Sequence, residues 1–106
     1  MNNKVRLPKK SLDAIILAFR NTFADTDHLW IFGSRIDLTA RGGDIDLYIE
    51  TSNADIDDVI VRKSKMITSI WRAIGEQKVD VVLNILSLQH NLPIYRLAKD
   101  QGVQLA

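Results

Sequence analysis

The segment DIDLYIE, residues 44–50, restricts the fold more than any other part of this chain. Its side chains alternate between apolar and polar types, which is typical of a strand that is buried on one face only. The apolar side presents Ile45, Leu47 and Ile49. The polar side presents Asp44, Asp46, Tyr48 and Glu50. The pattern therefore predicts a sheet with one packed apolar face and an opposite face that carries carboxylates.

Two other segments are predicted to be strands. The run HLWIF at 28–32 is short, apolar and rich in aromatic and β-branched residues, and Gly33 ends it. The run KVDVVLN at 78–84 alternates again, with Asp80 on its polar side. If this third strand lies beside the segment 44–50, the polar sides of the two strands form one continuous surface.

Helical spacing of apolar residues occupies much of the chain between these strands. A first helix is predicted at about residues 8–23, with Pro8 in its first turn. A second begins at a cap supplied by Asn53 or Asp55 and stops at Gly75. Its predicted apolar face comprises Ile56, Val59, Ile60, Ile67, Ile70, Trp71 and Ile74. A last helix is predicted from about 92–93 to just before residue 102, and a short one follows the strand at 28–32.

These elements predict a single domain over residues 1–106 of the α/β (α+β) class. Its core is expected to be a small three-stranded mixed sheet with helices packed on one face, opposite the carboxylates. A chain of 106 residues with 46% hydrophobic and 25% charged residues has an ordinary composition for a globular domain. It buries enough surface to fold without disulfides or a structural metal.

Composition excludes several classes of function. The chain has no cysteine, which rules out a disulfide scaffold, a thiolate zinc site and a cysteine nucleophile. No apolar run approaches the roughly 20 residues of a membrane span, and no segment of signal-peptide type follows the basic N-terminus. We therefore expect a cytoplasmic protein that does not enter a membrane, and we expect no direct binding to DNA.

Acidic residues are concentrated in one part of the sequence. Residues 25–58 hold nine acids against two arginines, although the whole chain has a net charge of +1. Most of these acids are aspartates that are expected to cap helices and solvate turns. Asp44 and Asp46 differ because both project from the same face of one strand, roughly 6–7 Å apart at the backbone. With Asp80 beside them, they are candidate ligands for one hard cation or for two.

Neither the aspartates nor the Gly33-Ser34 pair is specific for a function when taken alone. Asp-x-Asp is common on solvated strand faces. The alternative for Asp80 is a place on an exposed edge strand or an ion pair with Lys78 or an arginine. Gly33 and Ser34 after a strand usually form a simple turn. They also suit a phosphate, because glycine allows close approach to the backbone and the serine hydroxyl can donate a hydrogen bond.

The combination resembles a known family. Phe32-Gly33-Ser34-Arg35, a spacer to residue 43, Asp44-Ile45-Asp46-Leu47 and a later Asp80 resemble the nucleotidyltransferase superfamily that includes DNA polymerase beta. The run GSRIDLTARGGDIDLYIE is most similar to the minimal nucleotidyltransferases. Members of that group are often encoded beside a helical HEPN-type partner, sometimes as the antitoxin of a toxin–antitoxin pair. The resemblance covers about residues 28–84.

The resemblance implies roles for individual residues. Gly33, Ser34 and Arg35 would bind a nucleoside triphosphate. Asp44, Asp46 and Asp80 would bind Mg²⁺, with two ions expected and Mn²⁺ as a substitute, and Asp80 would help to deprotonate the acceptor. The implied reaction moves a nucleoside monophosphate, AMP from ATP, to a hydroxyl such as a tyrosine on a HEPN-type partner. Arg35 and Arg41 are the nearest cations for phosphate oxygens.

The sequence argues against one alternative activity and leaves one alternative function open. A phosphatase of the haloacid-dehalogenase type also uses Asp-x-Asp, but its first aspartate ends a hydrophobic strand, whereas Asp44 begins one. A catalytically silent module that neutralises a HEPN-type partner by binding it is favoured in part by the short length. The presence of the complete set of motif residues favours instead an active enzyme that works in a complex: Gly33, Ser34, Asp44, Asp46 and Asp80. The chain has no room for a further domain that grips the base and acceptor, so a partner protein or a homodimer is expected to supply those contacts.

Overall fold

Residues 5–38 and 43–106 are described by the computed structural model of the protein. Within them the chain forms three α-helices and four β-strands. In chain order these are α1 (Lys9–Thr22), β1 (His28–Phe32), β2 (Ile45–Thr51), α2 (Ile56–Ile74), β3 (Val79–Ile85), α3 (Pro93–Gln101) and β4 (Val103–Gln104). Single 3₁₀ turns at Gly33–Ile36 and Leu86–Leu88 follow β1 and β3. The predicted α+β class is confirmed.

The four strands form one mixed sheet in the order β3-β2-β1-β4. The pairs β1–β2 and β1–β4 are antiparallel, while β2–β3 is parallel and is connected through α2. The three predicted strands are confirmed, and those at 44–50 and 78–84 are neighbours. The expected count of three strands was wrong, because β4 pairs with Trp30 and Ile31. Its two residues are too few to show any periodicity.

One face of the sheet packs against α1 and α2. The strand residues on this face are Leu29, Ile31, Ile45, Leu47 and Ile49, all with no exposed surface. Fully buried side chains from both helices cover them, including Ile15, Phe19, Val59, Met66 and Ile70. Burial of each such side chain stabilises the fold by roughly 1.5–3 kcal/mol. This cluster fixes which side of β2 faces outward, and so where its carboxylates lie.

The third helix does not join the other two. Tyr95 and Ala98 of α3 pack against Trp30, Phe32 and Tyr48, on the carboxylate side of the sheet. The prediction that helices cover only one face is therefore wrong for α3. The physical reason lies in β1, whose run HLWIF is apolar on both sides and so requires cover on both.

The apolar face of α2 is narrower than its sequence predicts. Ile56 and Ile60 are nearly half exposed, and Trp71 is 38% exposed, so their predicted burial was wrong. The Trp71 indole instead donates a hydrogen bond from Nε1 to the Gln77 carbonyl, 2.7 Å away, where the chain turns into β3. The predicted helix ends are confirmed: Asp55 accepts from the backbone N–H of Asp58, and the C-cap residue Gly75 has a φ of 92°.

None of the described helices is both long and apolar enough to cross a membrane.

Candidate functional site

Asp46 and Asp80 are direct neighbours across the parallel pair β2–β3. Adjacent strands lie about 4.8 Å apart, so these two side chains rise side by side from the same face of the sheet. Asp44 immediately precedes β2 on the same side of the alternation. The three aspartates predicted from sequence therefore meet at the end of the sheet where β2 and β3 begin. We call Asp44, Asp46 and Asp80 the acidic cluster.

Lys78 supplies the positive charge of the acidic cluster. Its Nζ lies 3.4 Å from Oδ2 of Asp44 and 3.9 Å from Oδ2 of Asp80. All three side chains are about half exposed or more, so these pairs are weak in water. Asp44 and Asp80 raise the pKa of the Lys78 ammonium above its ordinary value. Within residues 5–38 and 43–106, no three His, Cys, Asp or Glu side chains are already arranged to hold a metal ion.

Asp46 stands apart from its two neighbours. Among the described residues its carboxylate accepts no hydrogen bond and forms no ion pair. Partial burial raises the pKa of the Asp46 carboxyl, and the negative charges of Asp80 and Asp44 raise it further, while Lys78 acts in the opposite direction. An acid that is both partly desolvated and repelled is typical of a functional site. Added positive charge at this position would relieve the repulsion.

Gly33 lies directly beside the carboxylate of Asp46. It follows Phe32, which pairs with Asp46 across the β1–β2 ladder. Its φ is +75°, in the left-handed region that glycine adopts most readily. A Cβ at this position would clash with Oδ2 of Asp46. The absence of a side chain at Gly33 is therefore what gives the Asp46 carboxylate its space.

Ser34 ties the turn after β1 to the start of β2. Its hydroxyl donates a hydrogen bond to the Asp44 carbonyl at 3.3 Å. A Cβ on Gly43, whose φ is +98°, would clash with the same hydroxyl. The predicted short helix is here one 3₁₀ turn, Gly33–Ile36, so any helix-dipole contribution to phosphate binding is small. The triphosphate role of Gly33 and Ser34 stays a prediction.

Arg35 is engaged within the protein. Its guanidinium donates to the carbonyls of Arg6 and Gly43, at 3.2 and 3.1 Å, and its Nε is buried without a partner. Arg6 in turn donates from its backbone N–H to the Arg35 carbonyl and from its guanidinium to the Ser34 carbonyl. The two arginines fasten the segment before α1 to the turn. A phosphate contact by Arg35 stays a prediction, and Arg41 lies outside the described residues.

Polar side chains continue along the same face beyond the acidic cluster. The Tyr48 phenol donates to Oε2 of Glu50 at 2.7 Å and accepts from Nδ2 of Asn84 at 3.0 Å. Lys99 of α3 pairs with the same Glu50 oxygen at 3.2 Å. From the sequence, Lys78 was named as a candidate ion-pair partner of Asp80 on an edge strand, and the structure shows that pairing. No role was assigned to Asn84 or Lys99. The alternation did place Asn84 on the carboxylate side, but nothing local indicated that α3 would cover it.

No protein-family model matches the sequence, and no curated protein matches it at a significant level.

Proposed function

We propose that this protein is a Mg²⁺-dependent nucleotidyltransferase that moves AMP from ATP to a hydroxyl acceptor. The observation that carries the proposal is the placement of Asp46. It lies beside Asp80 and against the side-chain-free Gly33, and it has no cation of its own among the described residues. The resemblance of residues 28–84 to minimal nucleotidyltransferases supports the same activity.

The donor set of the acidic cluster fits the implied metal. Three carboxylates offer the hard oxygen ligands that Mg²⁺ and Mn²⁺ prefer. Asp44, Asp46 and Asp80 would hold the ion or ions, with Lys78 as the resident counter-charge. When bound, Mg²⁺ supplies neutralisation of the negative charge on the triphosphate.

The remaining steps fall to residues of the chain. Gly33 and Ser34 would bind the triphosphate, and the Ser34 hydroxyl, which donates to the Asp44 carbonyl, would redirect that hydrogen bond to a phosphate oxygen. Asp80, whose side chain is 52% exposed, would accept the proton of the acceptor hydroxyl. The hydroxyl oxygen forms a bond to the α-phosphorus, the bond from that phosphorus to the bridging oxygen breaks, and pyrophosphate leaves.

Calorimetric titration of ATP with Mg²⁺ tests the nucleotide site. Asp46→Asn keeps the shape of the side chain and removes its charge, and Asp25→Asn makes the same change on an exposed loop. We expect ATP binding that requires Mg²⁺ in the native protein and in Asp25→Asn, with at least a tenfold loss in Asp46→Asn. Transfer of α-labelled AMP to an acceptor in lysate should fall by at least a hundredfold in Asp46→Asn. Undiminished transfer in that variant would refute the metal assignment.

The second candidate is a catalytically silent module that binds a partner, such as the HEPN-type protein that the resemblance implies. Lys78 favours it, because this side chain already neutralises part of the acidic cluster. Exposed apolar side chains on the helical layer, Leu17, Ile60 and Val61, also favour it. In this case the native protein forms a stable complex with its partner, and Asp46→Asn leaves both the complex and the neutralisation intact. A homodimer is the other assembly that we propose.

A further inference from the structure

A cavity of about 290 Å³ opens between α3 and the carboxylate face of the sheet. Tyr48, Glu50 and Asn84 form its floor, and Tyr95, Arg96 and Lys99 line the side formed by α3. Its volume would hold about ten water molecules at their liquid density. It is therefore large enough for one small planar molecule, and it lies near the lower limit for ligand pockets.

Asn84 is the buried polar group of this cavity. Its side chain is 8% exposed, and its Nδ2 donates to the phenol of Tyr48 at 3.0 Å. Among the described residues its Oδ1 accepts no hydrogen bond. A side-chain amide carries two N–H donors and a carbonyl oxygen, so one donor and the acceptor are left for a ligand. Asn84 lines the cavity, so its free donor and acceptor can serve as a recognition edge for a ligand bound there.

The lining of the cavity holds two anions, Glu50 and Asp100, and two cations, Arg96 and Lys99. Its balanced charge favours a neutral ring over a phosphate. The charge of Glu50 is balanced by Lys99, whose Nζ lies 3.2 Å from Oε2 of Glu50. Lys99 also lies 5.3 Å from the ring centroid of Trp30, which holds it at the side of the cavity. Arg96 is exposed at the mouth and has no partner among the described residues. A guanidinium in this position can stack on a flat aromatic ligand.

The cavity lies in line with the acidic cluster. Along β2, Tyr48 is two residues beyond Asp46; along β3, Asn84 is four residues beyond Asp80. With about 3.3 Å per residue, the cavity begins roughly 7 Å from the acidic cluster and reaches to roughly 13 Å. In a nucleotide the base is separated from the α-phosphate by the ribose. A nucleotide bound at the acidic cluster can therefore extend its base along the face and under α3.

We propose that this cavity is the base pocket of the nucleotide site and that Asn84 selects a 6-aminopurine. An asparagine amide pairs with the 6-amino group and N7 of adenine through one acceptor and one donor. Oδ1 of Asn84 accepts from the amino group, and its second N–H donates to N7. The pairing rejects a 6-oxopurine, because two acceptor oxygens would then face each other. This inference depends on the proposed function in one respect only, the position of the phosphates at the acidic cluster.

Adenosine is the probe, because it carries a base and no phosphate. Titrated without metal into isotope-labelled protein, it should shift the amide resonances of residues 48–50, 84 and 94–99. Asn84→Leu should weaken binding at least tenfold, and Asn21→Leu, on the exposed surface of α1, should leave it unchanged. Inosine, which has an oxygen in place of the amino group, should bind at least fivefold more weakly than adenosine. If Asn84→Leu does not fold, the test uses Arg96→Ala, which should weaken adenosine binding, together with the comparison of adenosine and inosine in the native protein.

The outcomes separate this inference from the proposed function. Adenosine binding in Asp46→Asn should equal that of the native protein, because the base pocket does not include the acidic cluster. Equal affinities for adenosine and inosine, shifts that map outside the cavity, or no adenosine binding each overturn the inference. If AMP transfer depends on Asp46 while adenosine does not bind, the proposed function stands and the base pocket is rejected. If adenosine binds in the cavity and no transfer occurs, the base pocket stands and the proposed function is rejected.

Discussion

Each end of the β1–β2 pair holds a partly or fully buried aspartate, and the two aspartates differ in their hydrogen-bond partners. Asp27, before β1, is 2% exposed and accepts hydrogen bonds from the backbone N–H groups of Ala24 and Ser52 and from the hydroxyls of Thr51 and Ser52. At the other end, the carboxylate of Asp46 accepts no hydrogen bond among the described residues, and the negative charges of Asp80 and Asp44 repel it.

The difference separates a structural acid from a functional one. A buried carboxylate that is fully hydrogen-bonded holds the chain around it in place, so its removal leaves donors without partners. A carboxylate that is crowded by like charges costs stability, and its retention indicates a ligand that balances the charge. The sequence presents both residues simply as aspartates next to strands. Only their partners distinguish them.

The substitution Asp27→Ala tests the structural role of Asp27, and it is expected to have the largest effect on stability. The substitution removes the acceptor for four buried or half-buried donors, so we expect the free energy of unfolding to fall by roughly 2–4 kcal/mol. Urea denaturation measures the loss, and Asp25→Asn serves as the control, with a change near zero. A loss in Asp27→Ala no larger than that of the control would contradict the structural role.

Gly33→Ala tests the close contact at the other end. The new Cβ clashes with the Asp46 carboxylate and must also adopt a positive φ, so we expect a loss of roughly 2–3 kcal/mol. In the Asp46→Ala background the carboxylate is gone, and what remains is the backbone strain and a tight contact of 3.2 Å with the Cβ at position 46, so the loss should fall to about 1 kcal/mol. A double-mutant cycle from urea melts measures this coupling. Additive effects would mean that Gly33 is required by its backbone alone.

Asp46→Asn should stabilise the protein in the absence of metal. The raised pKa of the Asp46 carboxyl means that its ionised form is less favourable in the folded chain than in the unfolded one. The native protein therefore loses stability as the pH rises from the ordinary pKa of 3.8 through the raised folded pKa. We expect the Asp46→Asn variant to gain roughly 0.5 kcal/mol at pH 7, about 2–4 °C in melting temperature, after discounting for solvent screening.

The pH dependence provides the check on that gain. Below the unfolded pKa both variants are neutral at this position, so the difference in melting temperature should vanish there. Scanning calorimetry between about pH 3 and pH 8 measures it. A gain that stays constant across this range would show that repulsion within the acidic cluster is not its cause.

The smallest effect is expected at Lys78, which competes with any added cation. Lys78→Gln leaves the acidic cluster without its counter-charge and should tighten binding of Mg²⁺ or Mn²⁺ by roughly twofold to fivefold. Lys65→Gln, on the exposed surface of α2, is the matched control. The difference should shrink at high ionic strength, because exposed charges are screened. Weaker metal binding in Lys78→Gln would instead mean that the lysine helps to hold the ligand.

The alternation in β2 and β3 was enough to predict the α+β class and the position of the acidic cluster. It fixes which side chains face outward, and both strands have a complete pattern. The location of α3 was not predicted. The sequence of β1 indicates that both of its faces are buried, but it does not indicate which helix packs on which face. The Asn84–Tyr48 hydrogen bond was also out of reach, since it depends on the register of two strands far apart in the chain.

The parallel pairing of β2 with β3 has a kinetic consequence. Asp46 and Asp80 meet only when the chain has closed a loop through residues 52–78, including all of α2. Contacts of this sequence separation form slowly, because the entropy of loop closure must be overcome before they form. Closing this crossover brings two like charges together, so their repulsion opposes that step. Refolding should accordingly be faster where the carboxylates are protonated or screened, which links the order of folding to the chemistry of the acidic cluster.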